Sequence, residues 1–203
     1  MSAFNKRDQY GWMAIFLHWL LFILLAGLVA GGKYSDSLDR TDKIGELIFI
    51  HKQIGMAVFA LMAFRLLWKL INRPVDSLAS SSLIRLAAVL THWILYALVL
   101  AQALGGMMMT QLAGRELAFL GMALPVFAQP IYDVIAPLAG MFGDSPAGQI
   151  RALHYWGGLL IMIFAVLHIL GVLAHHFLWR DDTLRRMTFR YAPDYVRDDL
   201  RNK

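Results

Sequence analysis

The chain has 203 residues, of which 59% are hydrophobic and only 16% charged, with a mean hydropathy of +0.55; these proportions exclude an ordinary water-soluble domain and leave an integral membrane protein. The net charge of +5 does not point to nucleic acid, because the Lys and Arg residues sit at the ends of apolar runs and form no separate basic stripe. With no cysteine in the chain, disulfides, thiolate metal sites, iron–sulfur clusters and covalent C-x-x-C-H haem attachment are excluded, and histidine must carry any metal chemistry.

Four apolar segments reach the roughly 20 residues that a membrane helix needs. The first, at about 13–31, follows Lys6 and Arg7 with no small-residue cleavage pattern after it, so it is expected to be a retained span and not a removed signal. A short connection, 32–46, sets Lys33, Arg40 and Lys43 against Asp36, Asp39, Asp42 and Glu46. The second span covers about 47–70. The connection INRPVDSLASSS has the Pro and Ser content of a turn, and the third span covers about 84–108. The segment 110–150 carries Pro125, Pro130, Pro137 and Pro146 among apolar residues, which predicts a helical cap lying at the interface. The fourth span covers about 154–179, and a charged tail, 181–203, ends the chain.

The fold class expected is therefore all-α, a membrane four-helix bundle in one domain over 1–203. Lys6 and Arg7, then Arg65, Lys69, Arg73 and Arg85, and the tail residues Arg180, Arg185, Arg186, Arg190, Arg197, Arg201 and Lys203 gather on one side. Lys33, Arg40, Lys43, Lys52, Arg115 and Arg151 remain for the other. The positive-inside rule then predicts both termini in the cytoplasm and the capped end outside.

All seven histidines lie in or at the edges of the spans. By depth, His51 and His154 form an outer layer; His18, His92, His168, His175 and His176 form an inner one. Single helix-end histidines often cap carbonyls or reach for headgroups, but seven together argue for function. Two imidazoles facing each other across a bundle, with neither thiolate nor carboxylate beside them, suit a six-coordinate haem. Zinc or non-haem iron would want a third protein ligand, and the outer layer offers none. The run HYWGGLLIMIFAVLH puts His154 and His168 fourteen residues apart, which is within roughly 40° of one helix face and about 21 Å along the axis.

Supporting residues follow from the same spacing. Gly157 and Gly158, one turn inward of His154, and Gly55, one turn beyond His51, are expected to make room for a flat macrocycle or to serve helix packing. Arg65, fourteen residues after His51, falls at the level of the inner histidines, where it could pair with a haem propionate or reach the inner headgroups. For the inner ligand pair the residues alone leave His92, His168 and His175 open.

At this point the motifs FLHWLLF, HKQIG with FRLLWKL, THWILYALVL, the LP of the outer segment and HYWGGLLIMIFAVLHILGVLAHHFLWRDDTLRRM resemble the bacterial cytochrome b561 family over about residues 10–187. The resemblance implies two b-type haems, the outer held by His51 and His154 and the inner by His18 and His168. It also implies electron transfer between the outer face of the bacterial inner membrane and ubiquinone, with superoxide oxidation as the activity. Lys52 and Arg151 are candidates for an outer basic approach to superoxide, although the two outer loops carry an acid excess that limits this to a local patch. His92, His175, Gln53 and Gln102 are candidates around a quinone site. Cytochrome subunits of formate dehydrogenase and hydrogenase are similar in their histidine spacing, so a membrane anchor relaying electrons from a partner dehydrogenase is the alternative. A histidine-lined metal or proton transporter, the third class, would hold no haem.

Overall fold

A computed structural model describes residues 2–36, 42–79 and 81–189. Arg40 and the tail cations Arg190, Arg197, Arg201 and Lys203, which entered the charge count above, lie outside these residues, as do the side chains of Asp36, Asp42 and Lys43. Four long helices dominate: α1 (Trp12–Asp36), α2 (Asp42–Ile71), α3 (Ser82–Leu112) and, after a shorter α4 (Ala128–Ala139), α5 (Pro146–Phe177). All four long helices are apolar and long enough to cross a membrane. Each begins before the span expected from hydropathy, and the first three also end beyond it, because helix continues into the polar flanks as long as its backbone bonds are satisfied.

Capping residues set several of those ends. Ser81 accepts a hydrogen bond from the Ile84 N–H at 3.2 Å and opens α3. Ser145 does the same for Gly148 at 3.2 Å, and Pro146 follows it at the first helical position, where its missing N–H costs nothing. Helix α5 therefore begins eight residues before His154 and stops at Phe177 instead of Trp179. Arg180, at a φ of 53°, turns the chain away.

The segment between α3 and α5 contains α4 and an element that periodicity does not announce, a two-stranded antiparallel hairpin of β1 (Ala118–Phe119) and β2 (Met122–Ala123). Gln53 of α2 pins the hairpin: its Nε2 donates to the Ala118 carbonyl at 2.8 Å and its Oε1 accepts from the Leu120 N–H at 3.0 Å. Gln111 holds the approach to α4 in the same way, accepting from the Phe127 and Ala128 N–H groups, both at 3.1 Å. Met108, Ala128, Tyr132, Ala139 and Ile150 bury together beneath α4.

At the opposite end the N-terminal segment, the α2–α3 connection and the residues after α5 are tied together. Asp76 N–H donates to the Arg7 carbonyl at 2.7 Å, Arg186 Nη1 donates to the Asp76 carbonyl at 2.8 Å, and Trp19 Nε1 donates to the Met187 carbonyl at 2.8 Å.

The bundle interior is unevenly filled. Leu21, Val58, Met62, Tyr96, Val99 and Ile161 make a compact mid-bundle cluster, while Ile23, Phe49, Leu67 and Val166 stand exposed on the outward faces. In a membrane those faces meet lipid, so their exposure carries no penalty. Close packing joins α1 to α2, α2 to α3 and α3 to α5. Across the bundle, α5 meets α1 and α2 through histidine rings.

Candidate haem sites

Two histidine pairs bridge that separation. His51 of α2 faces His154 of α5 with ring centroids 6.3 Å apart, and His18 of α1 faces His168 of α5 at 6.1 Å. Two metal–imidazole bonds of about 2 Å, plus roughly 1 Å from each ring nitrogen to its centroid, need a separation of about 6 Å. Both pairs meet it. Among the described residues no group of three or more His, Asp or Glu side chains forms a protein-only metal site. A metal between these rings would need its remaining ligands from a non-protein group, which is what a porphyrin supplies. The residues present fit haem.

The hairpin-end pair opens onto a cavity of about 450 Å³ between α1, α2, α3 and α5, within the range of cofactor sites. Lys33, Lys52, Arg115 and Arg151 line it, and among the described residues no carboxylate does. Lys52 and Arg151 were legible as neighbours of His51 and His154; Lys33 and Arg115 come from different segments and only the fold brings them in. Gly55 also lines the cavity and has open space beside it.

Of the two uses expected for Gly157 and Gly158, their surroundings fit helix packing. A Cβ on Gly157 would run into the Gln102 Oε1, and one on Gly158 would stand 3.3 Å from the Gln102 Nε2. The space their missing side chains leave is taken by a glutamine from α3. It is Gly106 of α3 that meets a ligand candidate, since a Cβ there would lie 3.1 Å from His154 Cε1. Helix spacing gives a residue's face, but not which side chain of another helix fills the space opposite.

Near the other end three histidines converge. His92 lies 5.0 Å from His168, centroid to centroid, and its Nδ1 is 2.6 Å from the Ala88 carbonyl of its own helix. Arg65 reaches the same place, with Nη2 2.9 Å from His18 Nδ1 and its guanidinium 5.8 Å from the Tyr96 ring centre. Among the described residues no carboxylate pairs with it. His175 stands apart from this group. Its Nδ1 is 2.5 Å from Asp181 Oδ2, and Asp181 is itself fixed by the Thr183 N–H, which donates to Oδ1 at 2.8 Å. Burial pushes the Asp181 carboxyl up, but the hydrogen bonds from His175 and Thr183 outweigh it and hold it below the usual carboxylate range. Of the other polar candidates, Gln53 is committed to the hairpin and Gln102 to His154.

Four apolar spans with facing histidines at two depths define a multi-pass membrane protein of the cytochrome b type. A family model described as prokaryotic cytochrome b561 matches residues 9–190. The chain is 32% identical over 200 residues to "Cytochrome b561 homolog 2" of Escherichia coli (strain K12), covering 96% of this chain and 99% of that protein. It is 25% identical over 183 residues to "Probable superoxide oxidase CybB" of Yersinia pestis, covering 89% and 96%. The chain belongs to the prokaryotic cytochrome b561 family, whose members bind haem b and transfer electrons in bacterial membranes.

Proposed function

We propose that this protein is a di-haem cytochrome of the bacterial inner membrane that takes electrons from superoxide at its outer face and delivers them to ubiquinone. The observation that carries the reading is the presence of two facing histidine pairs that share α5, His51 with His154 and His18 with His168. In this reading His51 and His154 hold the outer haem, His18 and His168 hold the inner one, and Arg65 pairs with an inner propionate. Haem b bound between such rings supplies reversible one-electron transfer.

The chain's own residues meet the remaining demands. Lys33, Lys52, Arg115 and Arg151 make the outer cavity attractive to a small anion. The apolar outward faces let ubiquinone approach from lipid. His175, hydrogen-bonded to Asp181 at the inner end, is a candidate to hand protons to a reduced quinone, and His92 is a second polar group at that depth. The overall change balances: two superoxide ions each lose one electron and leave as oxygen, while one ubiquinone gains two electrons and two protons. The probable-superoxide-oxidase relative supports this choice of donor.

The test uses the full chain, purified without a partner. Two haem b per chain, reduced by a superoxide-generating system and reoxidised by a short-chain ubiquinone, is the expected result. A protein with two haems that superoxide leaves oxidised would overturn the donor, and reduction only by a co-purifying dehydrogenase would make it an anchor subunit.

A further inference from the structure

The outer pair is asymmetric in its support. His154 is engaged at two points by a single residue of the neighbouring helix. The Gln102 side-chain Nε2 donates to the His154 backbone carbonyl at 2.6 Å, and the Gln102 backbone carbonyl lies 3.0 Å from His154 Nδ1. A carbonyl oxygen has no proton to give, so the second contact is a hydrogen bond only when Nδ1 carries the hydrogen. That tautomer leaves Nε2 with a free lone pair, as a metal ligand requires. The glutamine can lie this close to α5 because Gly157 and Gly158 present no side chains there.

We propose that Gln102 is a positioning residue for His154, fixing its backbone and ring so that Nε2 is aimed into the cavity toward the outer haem. The two contacts divide the work. The backbone carbonyl selects the tautomer and would do so with any residue at 102; the side-chain amide, seated over Gly157 and Gly158, locks the first turn below His154 to α3 and so sets the ring's tilt. Bare backbone at Gly106, one turn along α3, lets the ring lie against that helix. Groups of this kind, one shell out from a ligand, change metal affinity by about 10- to 100-fold when removed.

This inference rests on His154 holding the outer haem, and the test separates the two. In full-length protein carrying its haems, His154→Ala identifies the optical and paramagnetic signals of the outer haem by removing them. Two further variants then attack the amide from opposite sides: Gln102→Met keeps the volume and loses the donor, and Gly157→Ala keeps the glutamine but displaces its head. The expected result in both is transfer of the outer haem to apomyoglobin about 10-fold or more faster than in the parent. A shifted low-spin ferric signal for that haem should accompany it, with the inner haem's rate and signal unchanged. Parent-like outer-haem release and signal in both variants would overturn the proposal, as would equal acceleration at both haems, which marks a loosened bundle. If Gln102→Met does not accumulate, Gly157→Ala carries the same comparison alone. Retention of both haems by His154→Ala would instead remove the ligand assignment on which it rests.

Discussion

The two ends of the bundle hold their histidine pairs in different company. At the hairpin end, His51 and His154 have no third imidazole near them among the described residues, and their surroundings are a cation-lined cavity and a glutamine from α3. At the tail end, His18 and His168 share their space with His92 and Arg65. Near-identical ring separations, 6.3 and 6.1 Å, therefore sit in one environment built for access and another crowded with further polar groups. In the function proposed here, the first would be the outer site that meets a small anion from water and the second the inner site that also serves a quinone and its protons.

The largest effects should come from removing ligands, and they should differ between the ends. His154→Ala is expected to reduce haem content from two to one per chain and His168→Ala to remove the other haem, each measured by pyridine haemochrome against protein. His92→Ala should keep both. A 5.0 Å centroid separation is shorter than the roughly 6 Å that two imidazoles on one metal need, so in the proposed assignment His92 packs against His168 and His18 is its partner. If His92→Ala loses the inner haem and His168→Ala keeps it, the inner assignment is reversed while the outer one stands.

A smaller and purely electrostatic difference is expected from Arg65→Gln. A buried cation beside His18 disfavours the extra positive charge of a ferric iron, so losing it should lower the inner haem's potential. The fall should be up to about 59 mV, equivalent to a tenfold change for one electron, in a redox titration that follows the two haems separately. The outer haem, about 21 Å away along α5, should move far less. A rise, or equal shifts at both haems, would remove Arg65 from the inner site.

The same contrast governs how much of this was legible in the sequence. Spans and the His51–His154 pair follow from hydropathy and helical period, because the outer layer offers each histidine one partner. The inner layer offers several, so period alone leaves the choice open; the family resemblance implies His18 and His168, and in the fold His18 and His92 both lie beside His168 while His175 is hydrogen-bonded to Asp181. The hairpin was hidden for a local reason. Its turn places Leu120 at a φ of 50° and Gly121 at 83°, where Asn-Gly or Asp-Gly would announce such a turn and Leu-Gly does not. Gln102 reads in the sequence as one of several polar candidates around a quinone site; its contact with His154 depends on two glycines 55 and 56 positions later in the chain, a relation that no local pattern carries.

The smallest effect expected lies at the tail end, where Asp181 joins the chain after α5 to His175. Its carboxyl is held below the usual range in the folded protein, so ionised Asp181 stabilises this junction above the ordinary carboxylate value of about 3.9. That contribution is lost as pH falls through the depressed folded value. Thr183 reports on it directly, since its N–H donates to Asp181 Oδ1. Amide exchange across residues 183–188, corrected for intrinsic chemical rates, should therefore accelerate a few-fold as the parent protein is acidified below about pH 4. Asp181→Asn should show the faster exchange already at pH 7 and no further acid step. Identical pH profiles in parent and variant would mean that the segment is held without the Asp181 carboxylate, by contacts such as the Trp19–Met187 and Arg186–Asp76 hydrogen bonds, and the tail end would then lack the acid-sensitive junction that sets it apart from the hairpin end.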